Sequence, residues 1–154
     1  LARLIHDEQI KPPFLLNLEM KKATPQKVLD IVYRHNAKDR VVLSAFDHAT
    51  LTQIRSLDSD VAIGYLVDRI VTTAILKEAR KIKAQSLHLP ARRVTTELIE
   101  RIHREGFLVY PYTIDKTSPM TRFIKMGADG LFTNYPDRLS QLIKKQKEKK
   151  EKRC

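Results

Sequence analysis

In the run Leu16 to Lys21 (L-N-L-E-M-K), the two-residue period of a strand puts Asn17, Glu19 and Lys21 on one face and Leu16, Leu18 and Met20 on the other. A carboxylate there is a hard oxygen ligand for Ca²⁺ or Mg²⁺, and an ammonium two residues on can face a phosphate. The same spacing describes a plain Glu–Lys pair on a solvated strand, and spacing alone leaves both readings open. A second polar group, Ser44 to His48 (S-A-F-D-H), surrounds Phe46. Here Asp47 reads as the cap of a following helix, with His48 solvated in its first turn. His35 and His103 fall on helical segments as surface or half-buried residues, and His88, on a strand, reads as a core histidine rather than a base. No His/Cys spacing suits zinc, no glycine-rich loop suits a nucleotide, and no Gly-x-Ser-x-Gly elbow is present.

These residues need a scaffold, and the sequence supplies an alternating one. Six apolar, β-branched runs read as strands: Phe14 to Glu19, Val41 to Ala45, Val61 to Leu66, Ser86 to Leu89, Leu108 to Thr113 and Gly130 to Thr133. Between the first two, Thr24-Pro25 makes a helix cap and first position, with Val28, Ile31, Val32 and His35 on one face. Further helices read from Ala49 to Leu57, Ile70 to Lys83, Val94 to Glu105, Ser118 to Met126 and from Pro136 into the C-terminal run. Gly106 and Gly127 stand where left-handed helix ends belong, and Ser118-Pro119 repeats the cap-plus-proline start. The reading is α/β, with about six βα units, in a chain of 154 residues. A complete (β/α)₈ barrel takes roughly 250 residues, so either units are absent or the sheet is open. In closed barrels the chemistry sits at the C-terminal ends of the strands, which directs attention to Glu19, Lys21, Ser44 to Asp47, Tyr65 to Asp68, His88, Thr113 to Asp115 and Thr133 to Asp137.

With 42% apolar and 31% charged residues the composition is that of a folded chain, not a disordered one. The lone Cys154 permits no intrachain disulfide, which favours a reducing, cytoplasmic or cytoplasm-facing location. It is also not a prenylation box. No apolar run approaches the ~18 residues of a membrane span, and no secretory leader pattern opens the chain. The first residue is Leu1, as in a processed or truncated product. The formal charge of +11 is partly local: residues 144–153 hold seven Lys or Arg against two Glu and carry +5, leaving +6 for the rest. Residues 1–143 therefore read as one domain and 144–154 as a basic tail, a solvated end first and an anionic-lipid or nucleic-acid contact second.

Taken in order, the strand ends resemble the glycerophosphodiester phosphodiesterase family. L-N-L-E-M-K resembles that family's L-N-I-E-I-K, V-V-L-S-A-F-D its V-V-I-S-S-F, V-Y-P-Y-T-I-D its V-Y-V-W-T-V-N, and G-A-D-G-L-F-T-N-Y-P-D its G-V-D-G-I-I-T-D-Y-P-D. Each motif is weak singly, whereas four in order at similar intervals, from Phe14 to Leu139, are specific. The resemblance implies a phosphoinositide-phospholipase-like (β/α)₈ TIM barrel, incomplete here. It also implies hydrolysis of glycerophosphodiesters to glycerol 3-phosphate and an alcohol such as choline or ethanolamine. In that family three carboxylates hold a divalent cation, Ca²⁺ or Mg²⁺, and two histidines serve as general acid and base while a glycerol hydroxyl attacks, with a cyclic phosphate intermediate. Carried over by position, Glu19 would be a metal ligand, Lys21 would lie against phosphate oxygens, Phe46 would wall the pocket and Tyr112 would fill an aromatic position near the glycerol.

The chain also departs from the family pattern. The family's His-Arg-Gly segment, Glu-x-Asp pair and His-Asp pair precede the Glu-x-Lys strand, where this chain has only LARLIHDEQIKPPF. His6-Asp7 copies the last of these superficially, too close to Glu19 for the usual interval, so His6 is a weak catalytic candidate. Tyr112 replaces tryptophan and Asn134 aspartate. One carboxylate cannot build a Ca²⁺ site that draws on about six to eight oxygens, so this chain alone is expected to be nearly inactive. Two other readings are a non-catalytic module that binds a partner or itself through an open sheet edge, and an anionic-membrane binder acting through the tail, nucleic acid ranking below lipid.

Overall fold

The computed structural model describes residues 15–151. Five strands alternate with helices: β1 (Leu16–Glu19), α1 (Pro25–Arg34), β2 (Val41–Ala45), α2 (His48–Leu57), β3 (Ala62–Leu66), α3 (Thr73–Lys81), β4 (Ser86–Pro90), α4 (Thr96–Arg104), β5 (Leu108–Tyr112), α5 (Thr117–Lys125) and α6 (Pro136–Glu151). Each strand is hydrogen-bonded to the next in chain order. Pairing is parallel from β1 to β2 and from β2 to β3, so each helix between them is a crossover joining neighbouring strands. The chain forms two compact units divided inside β4, between Leu87 and His88.

In the first unit, β2 and β3 are buried on both faces, as crossover helices require, while β1 alternates between half-buried and exposed residues. Register places Glu19 beside Ser44 and Ser44 beside Gly64, so these three share one row of the pleat. Helix α1 buries Leu29 and Val32 and leaves Ile31 exposed, so its core face is rotated from the Val28–Ile31–Val32–His35 stripe expected from period alone. Thr24 has the extended N-cap backbone and Pro25 the first helical position, but the threonine side chain makes no cap hydrogen bond.

At the N-terminal side of these strands the chain is knitted by one arginine and one aspartate. The Arg55 guanidinium donates to the carbonyls of Ile82 (2.7 Å), Asp58 (3.0 Å), Val61 (2.9 Å) and Lys83 (3.3 Å). Asp58, 6% exposed, accepts from the Tyr33 hydroxyl and from the backbone N–H groups of Asp60 (2.7 Å) and Val61 (2.8 Å), and meets Lys38 Nζ at 3.3 Å. Burial pushes the Asp58 carboxyl up, but these donors outweigh it and hold it well below the usual carboxylate range.

Four helices end in the same way. Asn36 (φ 48°), Lys83 (φ 50°), Gly106 (φ 85°) and Gly127 (φ 90°) turn left-handed. The following N–H then returns to the helix: Ala37 to Val32 O (2.9 Å), Ala84 to Ala79 O (2.9 Å), Phe107 to Ile102 O (3.2 Å) and Ala128 to Phe123 O (3.1 Å). The two glycines were legible as stops; Asn36 and Lys83 adopt the same backbone without a glycine. Helix α5 starts at Thr117 with Lys116 as its cap, so Ser118-Pro119 lies inside the first turn instead of preceding it.

The sixth strand expected at Gly130 to Thr133 is not a regular strand. That segment runs beside β5, with bonds from Asp129 N to Val109 O (3.1 Å), Phe132 N to Pro111 O (2.9 Å) and Ile114 N to Phe132 O (2.8 Å). From the first bond to the second, the donor advances three residues and the acceptor two, a bulge-like slip that breaks the ladder. Gly130 sits at this slip with Tyr110 across from it, where an added Cβ would lie 2.8 Å from the ring. There are thus five regular βα units among the described residues, not six.

Candidate active site

In the first unit the strand ends carry the residues expected to bind metal and phosphate. Glu19 ends β1, with Lys21 Nζ 3.8 Å from its Oε1 and side-chain exposures of 38% and 75%. Beside Glu19 in register, the Ser44 hydroxyl is fully buried and without a hydrogen-bond partner among the described residues. Phe46, just beyond β2, is 46% exposed. Glu19 and Lys21 are therefore brought together, flanked by an unsatisfied hydroxyl at the end of the next strand.

Asp47 does what a cap does: Oδ1 accepts from Ala49 N (3.1 Å) and Oδ2 from the Thr50 hydroxyl (2.7 Å), which hold its carboxyl below the usual range, Thr50 first. His48 is not simply solvated in the first turn, as expected. Its ring stacks on Tyr65 at 3.8 Å between centroids, and its Nε2 lies 2.8 Å from Leu66 O. The fully buried Tyr65 donates its hydroxyl to Glu78 Oε2 at 2.9 Å, and burial, with this bond, raises the phenol well above its ordinary value. Period 2 places Tyr65 opposite Gly64, hence on the helix side of the sheet, so His48 serves packing between α2 and α3, not the Glu19 row.

In the second unit, Tyr112 ends β5 half-buried, and the peptide to Thr113 is cis. His88 is 1% exposed and packs on Tyr110 (5.5 Å) and Phe132 (4.9 Å). Burial lowers its pKa to about 4, so it is a neutral core histidine at physiological pH, as its strand position suggested. His103 is paired with Asp129 at 2.8 Å, and Asp129 also accepts from Val109 N at 2.8 Å.

The clamp around Asp115 was invisible to motif reading. Asp115 Oδ1 accepts from Asn134 N (2.9 Å) and the Thr133 hydroxyl (3.2 Å), Oδ2 accepts from Asn134 Nδ2 (3.0 Å), and Arg138 donates to the Asp115 carbonyl (3.1 Å). These donors, Asn134 first, hold the carboxyl below its usual range. Asp115 thus ties the loop after β5 to the segment opening α6. Its position at a strand end was the available signal; its partner, 19 residues on, was not.

A divalent metal fits only in part. Among the described residues no three His, Cys, Asp or Glu side chains converge on one point. Glu19 and a serine hydroxyl supply at most three oxygens where about six to eight are needed for Ca²⁺. The described residues do not form a metal site by themselves, and His6 lies outside them.

Parallel βα units with polar strand ends define the class: part of an α/β barrel. The sequence profile of the glycerophosphoryl diester phosphodiesterase family matches residues 5–138, and the chain belongs to that family. It is 32% identical over 147 residues to the uncharacterised protein YqiK of Bacillus subtilis strain 168, covering 88% of this chain and 58% of YqiK. It is 29% identical over 138 residues to a glycerophosphodiester phosphodiesterase of Caldanaerobacter subterraneus subsp. tengcongensis, covering 86% of this chain and 56% of that protein. A solved Silicibacter pomeroyi DSS-3 structure superposes with TM-score 0.81 at 24% identity, over 95% of this chain and 56% of that one. An Oleispira antarctica phosphodiesterase solved with its product sn-glycerol-3-phosphate gives TM-score 0.78 at 23% identity, covering 84% and 55%. The fold is a partial TIM barrel, and the chain spans a little over half the length of these relatives. Among the described residues no helix is long and apolar enough to cross a membrane.

Proposed function

We propose that this chain is the C-terminal part of a metal-dependent glycerophosphodiester phosphodiesterase that releases glycerol 3-phosphate and an alcohol, and that alone it is nearly inactive. The observation that carries the reading is Glu19 with Lys21 at a strand end, within a family match over residues 5–138. Glu19 supplies one carboxylate to a Ca²⁺ or Mg²⁺ ion whose chemistry is to polarise the phosphate. Lys21, the more exposed of the pair, is free to swing from Glu19 onto phosphate oxygens, Phe46 walls the pocket, and Tyr112 lies against the glycerol. The remaining carboxylates and both histidines come from a portion of the barrel that these residues do not supply; His6 is a weak stand-in.

The test joins residues 1–154 behind the N-terminal portion of the Caldanaerobacter relative that this chain does not cover, and follows glycerol 3-phosphate release from glycerophosphocholine with Ca²⁺ or Mg²⁺. Metal-dependent turnover by the chimera, absent from the chain alone and abolished by Glu19→Ala, is the expected result. A folded chimera without turnover would overturn the reading. The non-catalytic module would then be favoured, since β1 has a free edge among the described residues.

A further inference from the structure

The strongest unassigned feature is a cleft of about 410 Å³ in the second unit, lined by Ala91, Arg92, Thr113, Ile114, Asp115, Lys116, Pro119, Arg122 and Phe123. Its three cations come from three places in the chain: Arg92 from the short turn after β4, Lys116 from the cap of α5, and Arg122 from the body of α5. Arg92, Lys116 and Arg122 are all exposed, and among the described residues none is within ion-pair distance of a carboxylate. Arg122 lies over the ring of Phe123 at 4.9 Å, which leaves its N–H groups available. The single acid, Asp115, has both carboxylate oxygens committed to Thr133 and Asn134. Like charges from separate elements around one cleft repel one another, and an anion relieves that repulsion. The floor is apolar: Ile114 and Phe123 are buried at 4% and 1% exposure, with Pro119 beside them.

From this geometry we infer that the cleft bounded by Arg92, Lys116 and Arg122 binds an organic phosphate, its anionic oxygens on the three cations and its apolar body against the half-buried Ala91 and Pro119. Arginine forks and a lysine suit phosphate oxygens. The first-turn N–H groups of α5, whose first turn carries no acid, add to the positive field. A cationic choline-like group is disfavoured at the same place. The inference stands on the second unit alone and does not depend on the proposed hydrolysis.

The experiment is calorimetric titration of the full chain with phenyl phosphate and with inorganic phosphate at low salt, beside sedimentation with phosphatidylcholine vesicles containing phosphatidylglycerol. Phenyl phosphate should bind more tightly than inorganic phosphate, and Lys116→Gln/Arg122→Gln should weaken it about tenfold or more. Lys116→Arg should retain the binding that Lys116→Gln loses, and Lys149→Gln/Lys150→Gln in the tail should leave it unchanged. Loss of vesicle binding along with phenyl phosphate binding would place the phosphate on a lipid headgroup; loss of phenyl phosphate binding alone would make it a soluble metabolite. Equal affinity in the folded double variant, or a loss caused only by the tail variant, would overturn the inference.

Discussion

Within the first unit, the two ends of the strands are built differently. At the N-terminal side Arg55 and Asp58 close carbonyls and N–H groups from several stretches of chain into one network, with Asp58 6% exposed. At the C-terminal end Glu19 and Lys21 have one loose contact at 3.8 Å and side chains 38% and 75% exposed. The first arrangement commits its polar groups to the fold; the second leaves them exposed, as the proposed contact with metal and phosphate requires. This is the division of labour a barrel of this type shows, stability at one face and chemistry at the other.

That contrast is sharpest in the effect of single substitutions. Arg55→Ala would leave the carbonyls of Ile82 and Val61 without their donor at the base of β3 and β4, and should cost about 2–3 kcal/mol. Urea unfolding should show a lower midpoint with an unchanged slope. Glu19→Ala should change stability by no more than about 0.5 kcal/mol, while abolishing turnover in the chimera. If Glu19→Ala destabilised as much as Arg55→Ala, the two ends would not differ in kind and Glu19 would be structural.

Acid provides a second way to separate the ends. The folded Asp58 carboxyl lies below its unfolded value of about 3.9, so its contribution is complete above that pH and is lost as pH falls through the folded value. Tyr33, pushed up to about 12 chiefly by its bond to Asp58, contributes fully below its unfolded value of about 10 and loses that contribution as pH rises toward 12. Unfolding measured against pH should therefore show a plateau that declines below about 4 and above about 10. Asp58→Asn should flatten both limbs; a variant that kept them would place the titration elsewhere.

Much of this was legible in the sequence because it rests on period and punctuation. β2 lies at the residues expected, β3 and β4 within one residue, and Gly106 and Gly127 stop their helices as read. The failures have local causes. Gly130 to Thr133 has strand composition, yet the bulge-like slip against β5 depends on the Tyr110 ring filling the space over Gly130, and no periodicity encodes that. The face of α1 was misjudged because Ile31 counts as core by type, whereas Leu29 and Val32 are the residues that meet neighbouring elements. Of the proposed site, the pairing of Glu19 with Lys21 on one strand face was readable from alternation. The Asp115 clamp and the His48–Tyr65 stack depend on residues brought together over 19 and 17 positions, which one-dimensional patterns do not record.

The smallest expected effect tests the helix stops. Lys83 holds φ 50° at the end of α3, a position that Gly106 and Gly127 fill with glycine in α4 and α5. For a side-chain-bearing residue the left-handed region costs roughly 1–2 kcal/mol, against about 0.5–1 kcal/mol for glycine's greater freedom in the unfolded chain. The Lys83 carbonyl also accepts from Arg55 at 3.3 Å, and this backbone bond survives the substitution. Lys83→Gly should thus raise stability by up to about 1 kcal/mol, read as a higher urea midpoint. A gain that vanished in the Arg55→Ala background would show that the stop and the N-terminal network act as one unit, whereas an additive gain would show that the left-handed turn is set by α3 alone.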